Sequence, residues 1–226
     1  MNSSLSRVAL VVALFAVALP LQAATRIVWK SADGKKHEML IEGQKVRANA
    51  PLGNAYMLFD LEKGEKLAVN PGRKMALEMP AGGAEPPQAD YSLDEKGSGP
   101  EILGYSTTHY ELKAGGNHCS DLYTSRQALS DGGGEELVRV MRALARSSRR
   151  GDAKRMDPCD KANQALASRM QELGFILRAK SSDGEQEVVS LETGVDVPSG
   201  TFSVPGDFKR QSYQDMMDSM QQQRGK

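Results

Sequence analysis

The run Arg26-Ile27-Val28-Trp29-Lys30-Ser31-Ala32-Asp33-Gly34-Lys35-Lys36-His37-Glu38-Met39-Leu40-Ile41-Glu42 decides the fold. Ile27 and Trp29 share a face opposite Arg26 and Lys30, and beyond Asp33-Gly34 the residues His37, Met39 and Ile41 alternate with Glu38 and Glu42. Period-two alternation on both sides of an Asp-Gly pair marks a β-hairpin with a two-residue turn. The scheme extends through residues 25–79. Val46 and Ala48 stand against Lys45 and Arg47, then come Met57, Phe59 and Leu61; Leu67 and Val69 follow a Lys63-Gly64 turn, and Met75, Leu77 and Met79 follow Asn70-Pro71-Gly72. Six short strands result, joined by turns too tight for crossover helices, so the sheet is expected to be antiparallel. One face is mostly apolar and the other mostly charged, the pattern of a sheet with one wet side.

Residues 80–100 break the alternation with Gly82-Gly83, Pro86-Pro87 and Gly97-Ser98-Gly99-Pro100, which reads as a mobile surface loop. Strand character is expected again over residues 102–112, with Tyr105 and Tyr110 on opposite faces, and over 119–124. A helical insertion is expected at about 133–173. After Asp131-Gly132-Gly133-Gly134, the residues Leu137, Met141, Leu144 and Ser148 fall at helical spacing; a second helix begins at the cap-and-first-turn pair Asp157-Pro158, carries Ala162, Leu166, Met170 and Leu173 on one stripe, and stops at Gly174. Another hairpin, residues 175–180 and 187–195, turns at Asp183-Gly184. The polar tail 213–226, rich in Gln and Met, is either a short exposed helix or disordered.

Of the 226 residues, 39% are apolar and 26% charged, which suits one globular domain and excludes a disordered or fibrous chain. Lys plus Arg and Asp plus Glu are both 29, so no net field draws the chain to nucleic acid. Residues 1–23 read as a secretory signal peptide: Arg7 in a polar start, an apolar run over 8–19, then Pro20-Leu21-Gln22-Ala23. As a helix that run is about 18 Å long at ~1.5 Å per residue, short of a ~30 Å hydrocarbon core, so no stable membrane anchor is expected. The expected product is exported, soluble and periplasmic. Cys119 and Cys159, the two cysteines of the chain, are expected to pair in that oxidising compartment; two free or metal-binding thiols beside His118 are the rival reading.

Catalytic signals are missing from the sequence. His37, His109 and His118 are scattered over expected strands, no serine sits in a nucleophile elbow, and no glycine cluster opens a helix after a strand in the pattern a dinucleotide site needs. No enzyme activity, cofactor or metal is therefore expected, and a hydrolase would need His109 or His118 brought beside a carboxylate and a hydroxyl. Arg139, Arg142, Arg146 and Arg149 recur at helical steps and form a basic stripe, read as a solvated helix side or as a contact for an anionic headgroup or an acidic envelope protein. Eleven methionines are many. Met39, Met57, Met75 and Met79 on strands and Met141 and Met170 on helices suit either a loose core or a pocket for acyl chains. Met216, Met217 and Met220 on the tail are weak candidates for monovalent copper.

The segments Tyr56-Met57-Leu58-Phe59-Asp60-Leu61, Asn70-Pro71-Gly72-Arg73-Lys74-Met75, Ile102-Leu103-Gly104-Tyr105 and Val197-Pro198-Ser199-Gly200-Thr201-Phe202-Ser203-Val204-Pro205-Gly206-Asp207-Phe208 resemble an uncharacterised bacterial periplasmic domain family, itself similar in architecture to the periplasmic lipoprotein carriers. The resemblance implies a strongly curved antiparallel half-barrel whose apolar concave side is covered by helices and receives acyl chains. On that basis residues 24–212 are expected to form a single mainly-β (α+β) domain, a curled sheet with two helices over its concave face. Ile27, Trp29, Met39, Ile41, Met57, Phe59, Leu67, Val69 and Met75 would line that face, and Leu137, Met141, Leu144, Leu166 and Met170 would close it. The expected function is non-enzymatic binding of a hydrophobic or amphiphilic, lipid-like ligand; the alternative is an envelope interaction module with a filled core, docking through the arginine stripe.

Overall fold

A computed structural model describes residues 23–49, 54–80, 89–147 and 156–224. The expected leader falls almost wholly outside these residues. The first six strands are β1 (Ala24–Lys30), β2 (Lys36–Glu42), β3 (Lys45–Asn49), β4 (Tyr56–Asp60), β5 (Glu65–Asn70) and β6 (Met75–Glu78). They form an antiparallel meander, as the tight turns require. Turns follow their residues: Gly34 and Gly64 take positive φ, and Asn70 caps the Pro71–Arg73 turn by accepting a hydrogen bond from the Arg73 N–H.

Six more strands follow among the described residues: β7 (Tyr91–Ser98), β8 (Thr108–Ala114), β9 (Asn117–Ser125), β10 (Phe175–Ser181), β11 (Gly184–Val195) and β12 (Lys209–Ser212). All belong to one open sheet, ordered β12-β6-β5-β4-β3-β2-β1-β11-β10-β9-β8-β7. The protein is mainly β with helices added. One pairing is not antiparallel: β12 lies parallel to β6. Its approach, through residues 196–208, lays Val204 and Phe208 over Tyr56, Leu58, Leu67, Val69 and Ala76.

That crossing overturns part of the expected lining. Leu67 pairs with Leu58 and Val69 with Tyr56, while Lys66 stands opposite Phe59. Leu67 and Val69 therefore face away from Phe59 and are buried by Val204 and Phe208. Alternation shows that a strand has two faces, but not which face of the next strand continues it when both are covered.

The loop expected over 80–100 holds a strand: residues 81–88 lie outside the described set, but β7 pairs with β8 along its length. Its period is hidden because Tyr91 and Leu93 are its only large apolar residues, the rest being the charged and small residues that suit an exposed sheet edge. Ion pairs hold it, Lys113 to Asp94 at 3.3 Å and Lys96 to Glu111 at 2.5 Å. The strand expected over 102–112 is likewise divided. Leu103 and Gly104, both at positive φ, form a two-residue turn that sets Ile102 against Tyr105, and β8 begins only at Thr108.

The helices are α1 (Arg126–Asp131), α2 (Glu135–Ser147), α3 (Pro158–Leu166), α4 (Met170–Leu173) and α5 (Tyr213–Arg224). α1 precedes the glycine run and was not expected; Ser125 caps it, accepting from the Ala128 N–H. Asp157 and Pro158 start α3 as their residue types dictate, the Asp157 carboxylate accepting from the Asp160 N–H at 3.0 Å. The single helix expected up to Gly174 is broken after Leu166. The Ser168 hydroxyl bonds the Ala165 carbonyl at 2.6 Å, and the Ser168 carbonyl, which a continuous helix would offer to Glu172, accepts from the Arg142 guanidinium at 2.9 Å. The tail is helical through Arg224, Ser212 accepting from the Asp215 N–H at its start.

Cys119 of β9 and Cys159 of α3 are disulfide-bonded, Cα atoms 5.3 Å apart. The free-thiol reading is thereby excluded. The bridge pins α3 beside β8, where Ala162 and Leu166 bury with Leu112, Ala114 and Leu122. Closing a loop of 40 residues stabilises by about 4 kcal/mol in the chain-entropy model. A larger cluster joins β1–β4, β10 and β11 to α1, α2 and α4, with Ile27, Val46, Leu137, Val140 and Leu177 almost wholly buried.

Two expected outcomes follow from this packing. Gly174 sits at φ +98°, and a Cβ there would lie 2.5 Å from the Ser125 carbonyl carbon. Gly174→Ala should lower unfolding free energy by roughly 3 kcal/mol in urea denaturation, through strain and backbone clash. Hydrogen bonds from Lys113 and then Lys96 hold the Glu111 carboxyl at about 2, against an ordinary 4.5. A depressed carboxyl stabilises fully above its unfolded pKa and loses that contribution as pH falls toward the folded one. The urea midpoint of the wild type should therefore fall between pH 4.5 and pH 2 more steeply than that of Glu111→Gln.

Candidate functional site

Cross-strand register sets the rows of one sheet face. Ile27, Met39, Ala48 and Met57 stand side by side across β1–β4, and Ile41, Val46 and Phe59 form the next row. Two residues along β1 from Ile27, Trp29 lies opposite both His37 of β2 and Val188 of β11. Two bulges bring β10 and β11 into line: Val189 is extra between the pairs Val28–Ser190 and Trp29–Val188, and Leu177 is extra between Ile176–Thr124 and Arg178–Tyr123.

Against this face α2 and α4 set Met141, Leu144 and Met170, leaving a cavity of about 390 Å³. Its walls are Ile27, Trp29, Met39, Ala48, Phe59, Phe175, Ile176, Leu177, Ala179 and Val188, with Arg178, Gln186 and Glu187 as the polar members. Arg178 is already engaged: it pairs with Glu187, its cross-strand neighbour, and with Glu185 at 3.2 Å. The chemistry of such a space is apolar contact, with few directed polar groups.

Of the residues singled out from the sequence, Ile27, Trp29, Met39, Phe59, Met141, Leu144 and Met170 line this cavity. Ile41 and Met57 pack into the same core without bordering the space. Met75 does not reach it. It lies on β6, paired with Asn70 of β5 and two strands beyond Phe59 in the sheet, so the strand order places it too far along. Leu166 belongs to the neighbouring cluster beside β8. The β10–β11 wall was not foreseen. Its hairpin is legible in the sequence, but its place next to β1 rests on pairing between distant segments.

The arginine stripe faces elsewhere. Arg139, Arg142 and Arg146 border a groove on the outer side of α2 with Glu135, Glu136, Val138 and Gln171; Arg149 lies outside the described residues. Arg139 and Arg146 are exposed, whereas Arg142 is half-buried over the α3–α4 break, its Nε without a hydrogen-bond partner among the described residues. One member of the stripe thus serves the fold.

The histidines fall into two groups. His37 stacks on Trp29, ring centroids 5.3 Å apart, and its Nε2 is 3.0 Å from the Ser31 hydroxyl. That hydroxyl has one proton and gives it to Asp33 at 2.6 Å, a carboxylate held far below its ordinary range by hydrogen bonds from Lys35 and then Ser31. His37 must then donate to Ser31, the reverse of what a general base does for a nucleophile. His109 and His118 share the Asp121 carboxylate, at 2.6 and 3.2 Å, with His109 stacked on Tyr123. A carboxylate joins these two rings, as the hydrolase reading demands, but among the described residues no hydroxyl is hydrogen-bonded to either. No group of three or more His, Cys, Asp or Glu among the described residues is placed to hold a metal ion.

No family model and no curated protein matches the chain. Solved structures match at low similarity. PNGF-II, in C2 and P21 crystal forms, is 10% identical with TM-scores of 0.43 and 0.44, over 88% of this chain and 33% of that one. An uncharacterized conserved protein from Thermus thermophilus is 9% identical with a TM-score of 0.46, over 85% of this chain and 91% of that one. The chain spans about a third of the length of PNGF-II. No helix among the described residues is long and apolar enough to cross a membrane.

The two kinds of arginine separate in an unfolding experiment. Arg142→Ala, which removes a charged hydrogen bond to the Ser168 carbonyl, should cost about 1.5 kcal/mol. Arg146→Ala should stay within about 0.5 kcal/mol of wild type in the same urea titration.

Proposed function

We propose that this chain is an exported binding protein of the periplasm, not an enzyme, that holds the alkyl part of an amphiphile between its sheet and its helices. In this reading the sheet curls as a half-barrel, as in the lipoprotein carriers, with α2 and α4 across the concave side. The observation that carries it is the cavity of about 390 Å³ walled by Ile27, Trp29, Met39, Phe59, Leu177 and Val188. Close-packed interiors leave few voids larger than a water molecule, and an apolar space of this size lies within the range of small-molecule sites. The disulfide and the want of a spanning helix among the described residues suit a chain that works outside the cytoplasm without an anchor of its own.

Trp29, the one tryptophan of the chain, stands in the cavity wall and makes the reading measurable. Laurate added below its micellar concentration should shift Trp29 emission to the blue and saturate at one equivalent. Native mass spectrometry of protein purified from the periplasm should show a copurifying amphiphile. An unchanged spectrum together with an empty protein would sink the proposal.

A second reading, an interaction module of the envelope, is favoured by the outward groove of Arg139 and Arg146. Charge reversal at those two exposed positions distinguishes the readings. It should leave laurate binding untouched if the cavity is the working site, and should abolish capture of an acidic partner if the groove is.

A further inference from the structure

Resting on that reading of the cavity, we infer that the site takes one unbranched chain of about a dozen carbons and refuses two-chain lipids. A packed methylene needs roughly the 30 Å³ that a water molecule occupies in the liquid. A space of about 390 Å³ is then filled by a single chain of about 13 carbons. The ~32 chain carbons of a common diacyl lipid would need roughly 960 Å³. The space opens to solvent on one side, and its inner walls leave little room to expand, because Ile27, Leu177, Phe175 and Met170 are themselves buried members of the main core, and enlarging the space there means unpacking that core.

The same walls orient the chain. Every polar lining residue belongs to one stretch of the β10–β11 hairpin, where Arg178 pairs with Glu187 and Ala179 with Gln186. The opposite end, at Phe175 and Met170 beside α4, is apolar throughout. The terminal methyl therefore sits against Phe175 and Met170, and the head emerges at Gln186. Because Arg178 is satisfied by Glu187 and Glu185, no unbalanced charge waits there for a headgroup. Selection is by chain length and not by head charge.

The test is a titration of Trp29 emission in the purified protein with straight-chain alkanoates from eight to eighteen carbons, the matching alkanols, and dioleoyl phosphatidylcholine. Affinity should rise about fourfold per added methylene, which is the ~0.8 kcal/mol of a buried CH₂, up to a break near 13 carbons and no further. Alkanols should follow alkanoates, and phosphatidylcholine should not bind. Ala48→Leu adds three carbons to the wall and should move the break down by about three carbons while leaving the thermal midpoint no lower. A series that climbs unbroken to eighteen carbons, a break that ignores Ala48→Leu, or binding of phosphatidylcholine overturns the single-chain assignment and leaves the amphiphile reading standing. Silence toward every probe overturns both.

Discussion

Two runs of antiparallel strands, β1–β6 and β7–β11, meet only through the ladder in which β1 lies beside β11, Ile27 opposite Leu191 and Trp29 opposite Val188. Apart from β9 beside β10 and the parallel β12, every other neighbouring pair is a hairpin or a short return, cheap to close because its ends are near in the chain. The β1–β11 ladder joins the first described strand to the last long one. It turns two half-sheets into one surface, and the cavity lies across that seam, with Ile27 and Trp29 on one side and Leu177, Ala179 and Val188 on the other.

The helices depend on that surface. α2 is amphipathic: Leu137 and Val140 are buried against the sheet, Met141 and Leu144 face the cavity, and Arg139 and Arg146 stay in solvent. Its acids, Glu135 and Glu136, stand in the first turn and Arg146 in the last, the order that the helix dipole favours. α3 takes a separate task, burying the far end of the sheet under the disulfide, and the break before α4 lets Met170 return to the larger core. A single straight helix would not serve both clusters.

Much of this was legible residue by residue. Asp33-Gly34, Lys63-Gly64 and Asn70-Pro71-Gly72 place the turns, alternation places β1–β6, and Asp157-Pro158 and Gly174 bound the second helical segment. Seven of the fourteen residues expected to line or close the concave face border the cavity, because Ile27, Trp29, Met39 and Phe59 lie in adjacent rows, Met141 and Leu144 on one side of α2, and Met170 on α4. The failures share a cause. β7 has too few apolar residues to display its period, Leu67 and Val69 turn away because Val204 and Phe208 cover a second face, and Met75 lies two strands too far along.

By itself the sequence determined what is local: where strands run, where turns and caps fall, and that α2 has one greasy and one basic side. These follow from φ preferences, caps and periods of two or 3.6 residues, all acting over a few residues. Only the tertiary structure decided which faces join, because the β1–β11 pairing, the parallel return of β12 and the bulges at Leu177 and Val189 depend on partners far away in the chain. One extra residue in a strand reverses the side on which those after it point, so the wall of the cavity is a property of register.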